Sequence, residues 1–137
     1  MRGLDTNVLV RFVVEDDPVQ CAAARSLVAT LTADDPGYAG LINTVEFIWV
    51  LRQTYGFDPQ IVAQTLRELL SCVEFVFEGT PDIEAALFES GRTGSDLADA
   101  LIARRNAKAG CSATYTLDKR ASRIAGMELV PPAEPGV

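Results

Sequence analysis

Four carboxylates in this chain stand where carboxylates are costly. Asp5 sits between Leu4 and the apolar run Val8-Leu9-Val10. Glu46 interrupts TVEFIWVL, Asp99 lies inside LADALIA, and Asp118 follows the apolar Leu117 in TYTLDKR. A fifth acid, Asp96, precedes Asp99 by about one helical turn, so the two share a face. Each has an ordinary use. Asp5 and Asp118 can cap helices, Glu46 can sit on a wet stripe, and Asp96 can favour a helix macrodipole. Asp99, enclosed by apolar neighbours, is the hardest to explain that way. Gathered together, the four would repel, and either a proton or a cation would have to sit among them. Mg²⁺ and Mn²⁺ take hard oxygen ligands and keep coordinated water. That chemistry suits attack of water on a phosphodiester.

Composition removes most other chemistries. There is no histidine, which excludes a Ser-His-Asp triad, a Cys-His pair and histidine-ligated zinc. Cys21, Cys72 and Cys111 are too scattered for a disulfide framework or a metal knuckle. The net charge of −7 argues against nucleic acid as a partner, but its distribution does not. From Arg92 to Arg123 seven basic residues face only Asp96, Asp99 and Asp118. The C-terminal third is therefore locally basic, and Arg104, Arg105, Lys108, Lys119, Arg120 and Arg123 are candidate contacts for an anionic partner, with Arg11 closer in sequence to Asp5. No apolar run is long enough to span a membrane, and the N-terminus lacks the pattern of a signal peptide, so a cytoplasmic location is expected.

Positioning those side chains requires particular elements. Strands are expected near residues 1–4, 38–39, 73–77, 113–116 and 128–130. Helices are expected over 8–14 and from Pro18 to about 32. A third should run over 42–55, stopped by Gly56. A fourth should begin after the Asp58-Pro59 cap and run to 70. Residues 81–90 should form a helix broken by Gly91 and Gly94, residues from 95 or 96 to about 109 another, and residues 119–125 a short one. Strands alternating with helices predict an α/β protein, a three-layer α/β/α sandwich with a central, mostly parallel sheet. Residues 1–130 are expected to form one domain, with 131–137 as a short tail. Asp5 and Asp118 then fall where strands end, and Glu46 and Asp99 fall in the early turns of helices. In a parallel sheet these positions lie along one edge.

At this point the chain resembles the PIN domains, specifically the VapC-type toxic ribonucleases of bacterial type II toxin–antitoxin pairs. The resemblance rests on LDTNVLVR (4–11), VEFIWVLRQTYGFD (45–58), SDLADALIARRNAKAGC (95–111) and TYTLDKRA (114–121). It implies that Asp5, Glu46, Asp99 and Asp118 are a catalytic, metal-binding quartet, with Asp96 an auxiliary acid. It places Thr116 as a hydroxyl lining the site, with Thr6 and Asn7 flanking Asp5. It further implies Mg²⁺- or Mn²⁺-dependent cleavage of RNA, a homodimer, and a cognate antitoxin that blocks the site. Phe12, Phe47, Trp49, Tyr55 and Phe57 are either core or a groove for such a partner.

Two other readings compete. One is a non-catalytic PIN-fold binding or assembly module whose acids are structural. The other is an aspartate-based phosphohydrolase using Asp5 as nucleophile. Those chemistries usually want a second acid two residues on, where this chain has Asn7.

Overall fold

The computed structural model describes residues 1–134; positions 135–137, the end of the expected tail, lie outside the described residues. The chain divides into two compact units, Met1–Thr80 and Pro81–Val137. Helices flank parallel strands throughout, so the chain is α/β as expected.

The first unit carries a three-stranded parallel sheet in the order β1 (Arg2–Gly3), β2 (Gly37–Ala39), β3 (Phe75–Phe77). In register, Arg2 lies opposite Gly37, and Gly37 opposite Phe75. Parallel neighbours need helical crossovers. Helices α1 (Thr6–Val13) and α2 (Pro18–Val28) join β1 to β2. Helices α3 (Leu41–Trp49) and α4 (Pro59–Ser71) join β2 to β3. The cap read from sequence at Asp58 is present, and Asp17 provides a second of the same kind. Asp17 accepts from the Val19 and Gln20 amides, and Asp58 accepts from Gln60 N (2.9 Å), each immediately before a proline at the first helical position.

The helix expected over 42–55 is not uniform. It is α-helical to Trp49 and then widens into a π-helical segment, Val50–Thr54, before Gly56 turns with φ +67°. The wide turn delivers Tyr55 to Arg11. The Tyr55 hydroxyl accepts from Arg11 Nη1 (2.6 Å) and donates to Asp16 Oδ2 (2.6 Å). Buried residues of the unit include Leu9, Val10, Phe47, Leu51, Val62 and Leu66. Each large apolar side chain so buried contributes about 1.5–3 kcal/mol. Phe12 meets Phe75 edge-on, with centroids 5.8 Å apart.

The second unit holds α5 (Thr80–Thr93, which begins at the end of the first unit), α6 (Leu97–Lys108) and a two-stranded parallel sheet. That sheet is β4 (Thr114–Thr116) and β5 (Met127–Leu129), with Thr114 opposite Met127. The expected break at Gly91 does not occur. The helix runs through it to Thr93 and stops at Gly94, whose φ of +70° suits glycine. A lone glycine costs a helix only about 1 kcal/mol, and buried Ile83, Ala86 and Leu87 anchor this one. The helix expected over 119–125 shrinks to a single 3₁₀ turn, Ala121–Arg123. No helix among the described residues is long and apolar enough to cross a membrane.

Candidate active site

In the first unit, Asp5 and Glu46 both bond Thr6, Asp5 through its backbone N–H and Glu46 through its hydroxyl. Asp5 caps α1, its Oδ1 accepting from Thr6 N at 2.8 Å. Thr6 is buried, and its Oγ1 donates to Glu46 Oε1 (3.2 Å) while accepting from Asn43 Nδ2 (3.0 Å). Asn43 is itself fixed, because its Oδ1 accepts from Gly40 N at 3.1 Å. Asn43 precedes Glu46 by three residues, so both lie on one face of α3. The result is a chain from Gly40 through Asn43 and Thr6 to Glu46 that orients the carboxylate. Asp5 and Glu46 both remain exposed. Glu46 therefore lies on an open face of α3, with Ile42, Val45 and Trp49 also exposed beside it.

Asn43 was not anticipated. Its only trace in the sequence is the three-residue spacing ahead of Glu46. Asn7, next to Asp5 in the chain, lines a hollow of about 360 Å³ with Val8, Arg11, Gln20 and Leu27. Arg11 has two of its guanidinium nitrogens engaged. Nε donates to Gln20 Oε1 (2.7 Å), and Nη1 donates to Asp16 and Tyr55. The bond to Tyr55, and then the Asp16 charge, raise the Arg11 pKa against the desolvation that lowers it.

In the second unit three acids come within electrostatic reach of one another. Asp96 caps α6, with Oδ1 accepting from Ala98 N (2.8 Å). Asp99 occupies the third position of that helix and is half-buried. Burial, then the negative charges of Asp96 and of Asp118, push the Asp99 carboxyl above the ordinary carboxylate range. Asp118 is exposed just past β4, where its backbone N–H donates to Thr116 Oγ1 (3.1 Å) and its Oδ1 accepts from Arg120 N (2.8 Å). Thr116 thus holds the turn that presents Asp118.

Among the described residues, none of Asp5, Glu46, Asp96, Asp99 and Asp118 is in an ion pair, and within neither unit do three potential ligands close up into a group that could hold an ion. The donors are nonetheless all hard oxygens. Asp99 is destabilised as an anion and has no ion-pair partner among the described residues to relieve it. A hard divalent ion would supply the missing charge, so the residues fit Mg²⁺ or Mn²⁺ by donor type and by electrostatics.

The basic residues divide. Lys119, Arg120 and Arg123 are exposed around the 3₁₀ turn. Arg104, Arg105 and Lys108 converge instead on Asp82, a buried acid on α5 that sequence reasoning missed. An acid in the first turn of a helix is ordinary, and nothing local to PDIEAAL marks this one as buried.

Compared with protein-family models, the chain matches the PIN domain over residues 4–127. No curated protein matches it. The matched span contains Asp5, Glu46, Asp96, Asp99 and Asp118, and it covers most of the chain. PIN domains are in general metal-dependent nucleases that bind RNA. The parallel strands with flanking helices agree with that match, and this chain belongs to the PIN domain family.

Proposed function

We propose that this protein is a Mg²⁺- or Mn²⁺-dependent endoribonuclease and the toxin of a toxin–antitoxin pair. The observation that carries the reading is Asp99. It is a half-buried carboxylate driven toward protonation by burial, Asp96 and Asp118, with no basic partner among the described residues. In this reading Asp5, Glu46, Asp99 and Asp118 hold the ion, and Asp96 assists. When bound, the ion supplies Lewis acidity for hydrolysis of a phosphodiester. The protein's own groups do the positioning. Thr6, braced by Asn43, keeps Glu46 in one orientation. Thr116 fixes the backbone that presents Asp118. Lys119, Arg120, Arg123, Arg104, Arg105 and Lys108 form a basic rim for the strand, with Arg11 contributing through the part of its guanidinium that its internal bonds leave over.

The family match runs across both compact units, which supports reading residues 1–130 as one domain with 131–137 as a tail. A cytoplasmic location, a homodimer and a cognate antitoxin belong to the same proposal. The exposed face of α3 supports a protein partner. Ile42 (78% exposed) and Trp49 (61%) stand open on it, whereas Phe47 is fully buried and Phe12, Tyr55 and Phe57 are half-buried. Exposed large apolar side chains on one helix face commonly mark such contacts.

Sequencing of RNA 5′ ends after expression of the wild type and Asp99→Asn tests the activity. New 5′ ends at defined sites are expected with the wild type and should be absent with the variant. Identical end profiles from the two would remove Asp99 from the site.

A further inference from the structure

We propose that Glu78 is a positioning residue that fixes the start of α3 and through it holds Glu46 in place for a divalent ion. The inference rests on the metal-dependent reading above and deepens it. It extends the support of Glu46 from Thr6 and Asn43 to the end of β3.

Glu78 stands just past β3 and Asp5 just past β1, so in this parallel sheet both lie at the same edge. The backbone around Glu78 is fixed on both sides. Its N–H donates to Ala39 O (2.9 Å), which continues the ladder between β2 and β3. Two residues later, Thr80 Oγ1 donates to Phe77 O (2.9 Å). Between them Gly79 turns with φ +68°, a conformation that suits glycine. From this turn the Glu78 side chain crosses to α3, where Oε1 accepts from Leu41 N at 2.8 Å.

A helix start leaves backbone N–H groups without helical partners, and a Ser, Thr, Asp or Asn at the cap usually takes one of them. The cap of α3 is Gly40, which has no side chain to do so. Two other residues stand in. Asn43 Oδ1 takes Gly40 N, and Glu78 Oε1 takes Leu41 N from 37 residues away. A Cβ on Gly40 would lie 3.5 Å from each of these oxygens, so both gather on the same point. Asn43 is also the residue that donates to Thr6, whose hydroxyl donates to Glu46. The Glu78 bond therefore pins the turn from which Asn43 reaches Thr6. Packing holds that turn only in part. Leu41 and Asn43 are half-buried, Ile42 is exposed, and the first fully buried side chain of α3 is Thr44. A charge-assisted bond at this end is also favoured by the helix dipole.

The test is calorimetric titration of Mn²⁺ into the full chain, paired with hydrogen exchange followed by NMR in EDTA. Glu78→Gln keeps an acceptor for Leu41 N and loses the charge, whereas Glu78→Ala loses both. Glu84→Ala, at an exposed acid of α5, controls for the loss of one negative charge. Glu78 is itself exposed, so its variants leave the core intact. Glu78→Ala should weaken Mn²⁺ binding about tenfold, as loss of a group that orients a metal ligand does. Without metal, it should also speed exchange at the Leu41 backbone amide and the Asn43 side-chain amide. Glu78→Gln and Glu84→Ala should keep the wild-type affinity and exchange. Wild-type affinity in Glu78→Ala, even with a lower melting temperature, overturns the inference, because Glu78 is then a cap of α3 and no more. Equal losses in Glu78→Gln and Glu78→Ala overturn it as well, because the charge and not the acceptor then matters. Unchanged exchange at Leu41 and Asn43 in Glu78→Ala overturns it whatever the metal does. A wild type that binds Mn²⁺ no better than Glu78→Ala removes this inference alone. A wild type that binds none removes the metal-dependent reading and this inference with it.

Discussion

At Asp99, burial and two neighbouring acids act in the same direction, disfavouring the ionised carboxylate. Its folded pKa lies above the unfolded value, so at neutral pH the charge costs stability, and that cost is relieved as pH falls through the folded pKa. Asp99→Asn removes the charge and keeps the shape. The metal-free variant should therefore melt at a higher temperature than the wild type in EDTA at pH 7, as calorimetry can show, while cleavage falls by about 100-fold or more. Thr6 acts one step further out. Thr6→Val keeps the volume but removes the hydroxyl shared by Asn43 and Glu46. Divalent affinity should drop by about 10- to 100-fold, measured by titration calorimetry. Asp82 shows the opposite electrostatic sign to Asp99. The carboxyl is brought down to about 2, because bonds from Arg105, Arg104 and Lys108 outweigh the desolvation that opposes them. A depressed carboxylate contributes stability above its unfolded pKa and loses it as pH falls through the folded value. About 2 kcal/mol should disappear between roughly pH 4 and pH 2, and Asp82→Asn should flatten that limb of the acid denaturation curve.

Among the elements, the best-marked were those whose ends carry their own chemistry. Pro18 and Asp58-Pro59 announced α2 and α4, and LDTN announced the start of α1. Less legible were features decided by packing over distance. Gly91 reads as a break, yet the buried face of α5 carries the helix past it. The π-helical segment at Val50–Thr54 has no signature in VLRQT. It is a backbone feature of the fold, followed directly by Tyr55, which bonds Arg11 and Asp16. Similarly, the four acids set in apolar runs stood out as candidates in the sequence, whereas Asn43 and Asp82 did not, because their roles depend on partners 37 and 22 to 26 residues away. At β2 the packing leaves no room for a side chain. A Cβ on Gly37 would lie 2.6 Å from Leu4 Cδ1 and 2.9 Å from Leu31 Cδ1, both on buried leucines. Gly37→Ala should cost about 1–3 kcal/mol in denaturant unfolding through overpacking. It should also disturb Asp5, which follows Leu4 directly.

For the whole molecule the charge distribution matters more than its sum. A net charge of −7 repels RNA at long range, so any association must depend on local basic groups and weaken steeply with salt. Asp5, Glu46, Asp96, Asp99 and Asp118, by contrast, are left without an ion-pair partner among the described residues. The central claim is that carboxylates distant along the chain bind a divalent ion together. Calorimetric titration of Mn²⁺ into the wild-type protein and into Asp99→Asn tests it most directly. Saturable binding to the wild type, weakened at least tenfold in the variant, is the result expected. Equal affinity in the two proteins, or no binding to the wild type at millimolar Mn²⁺, would contradict it.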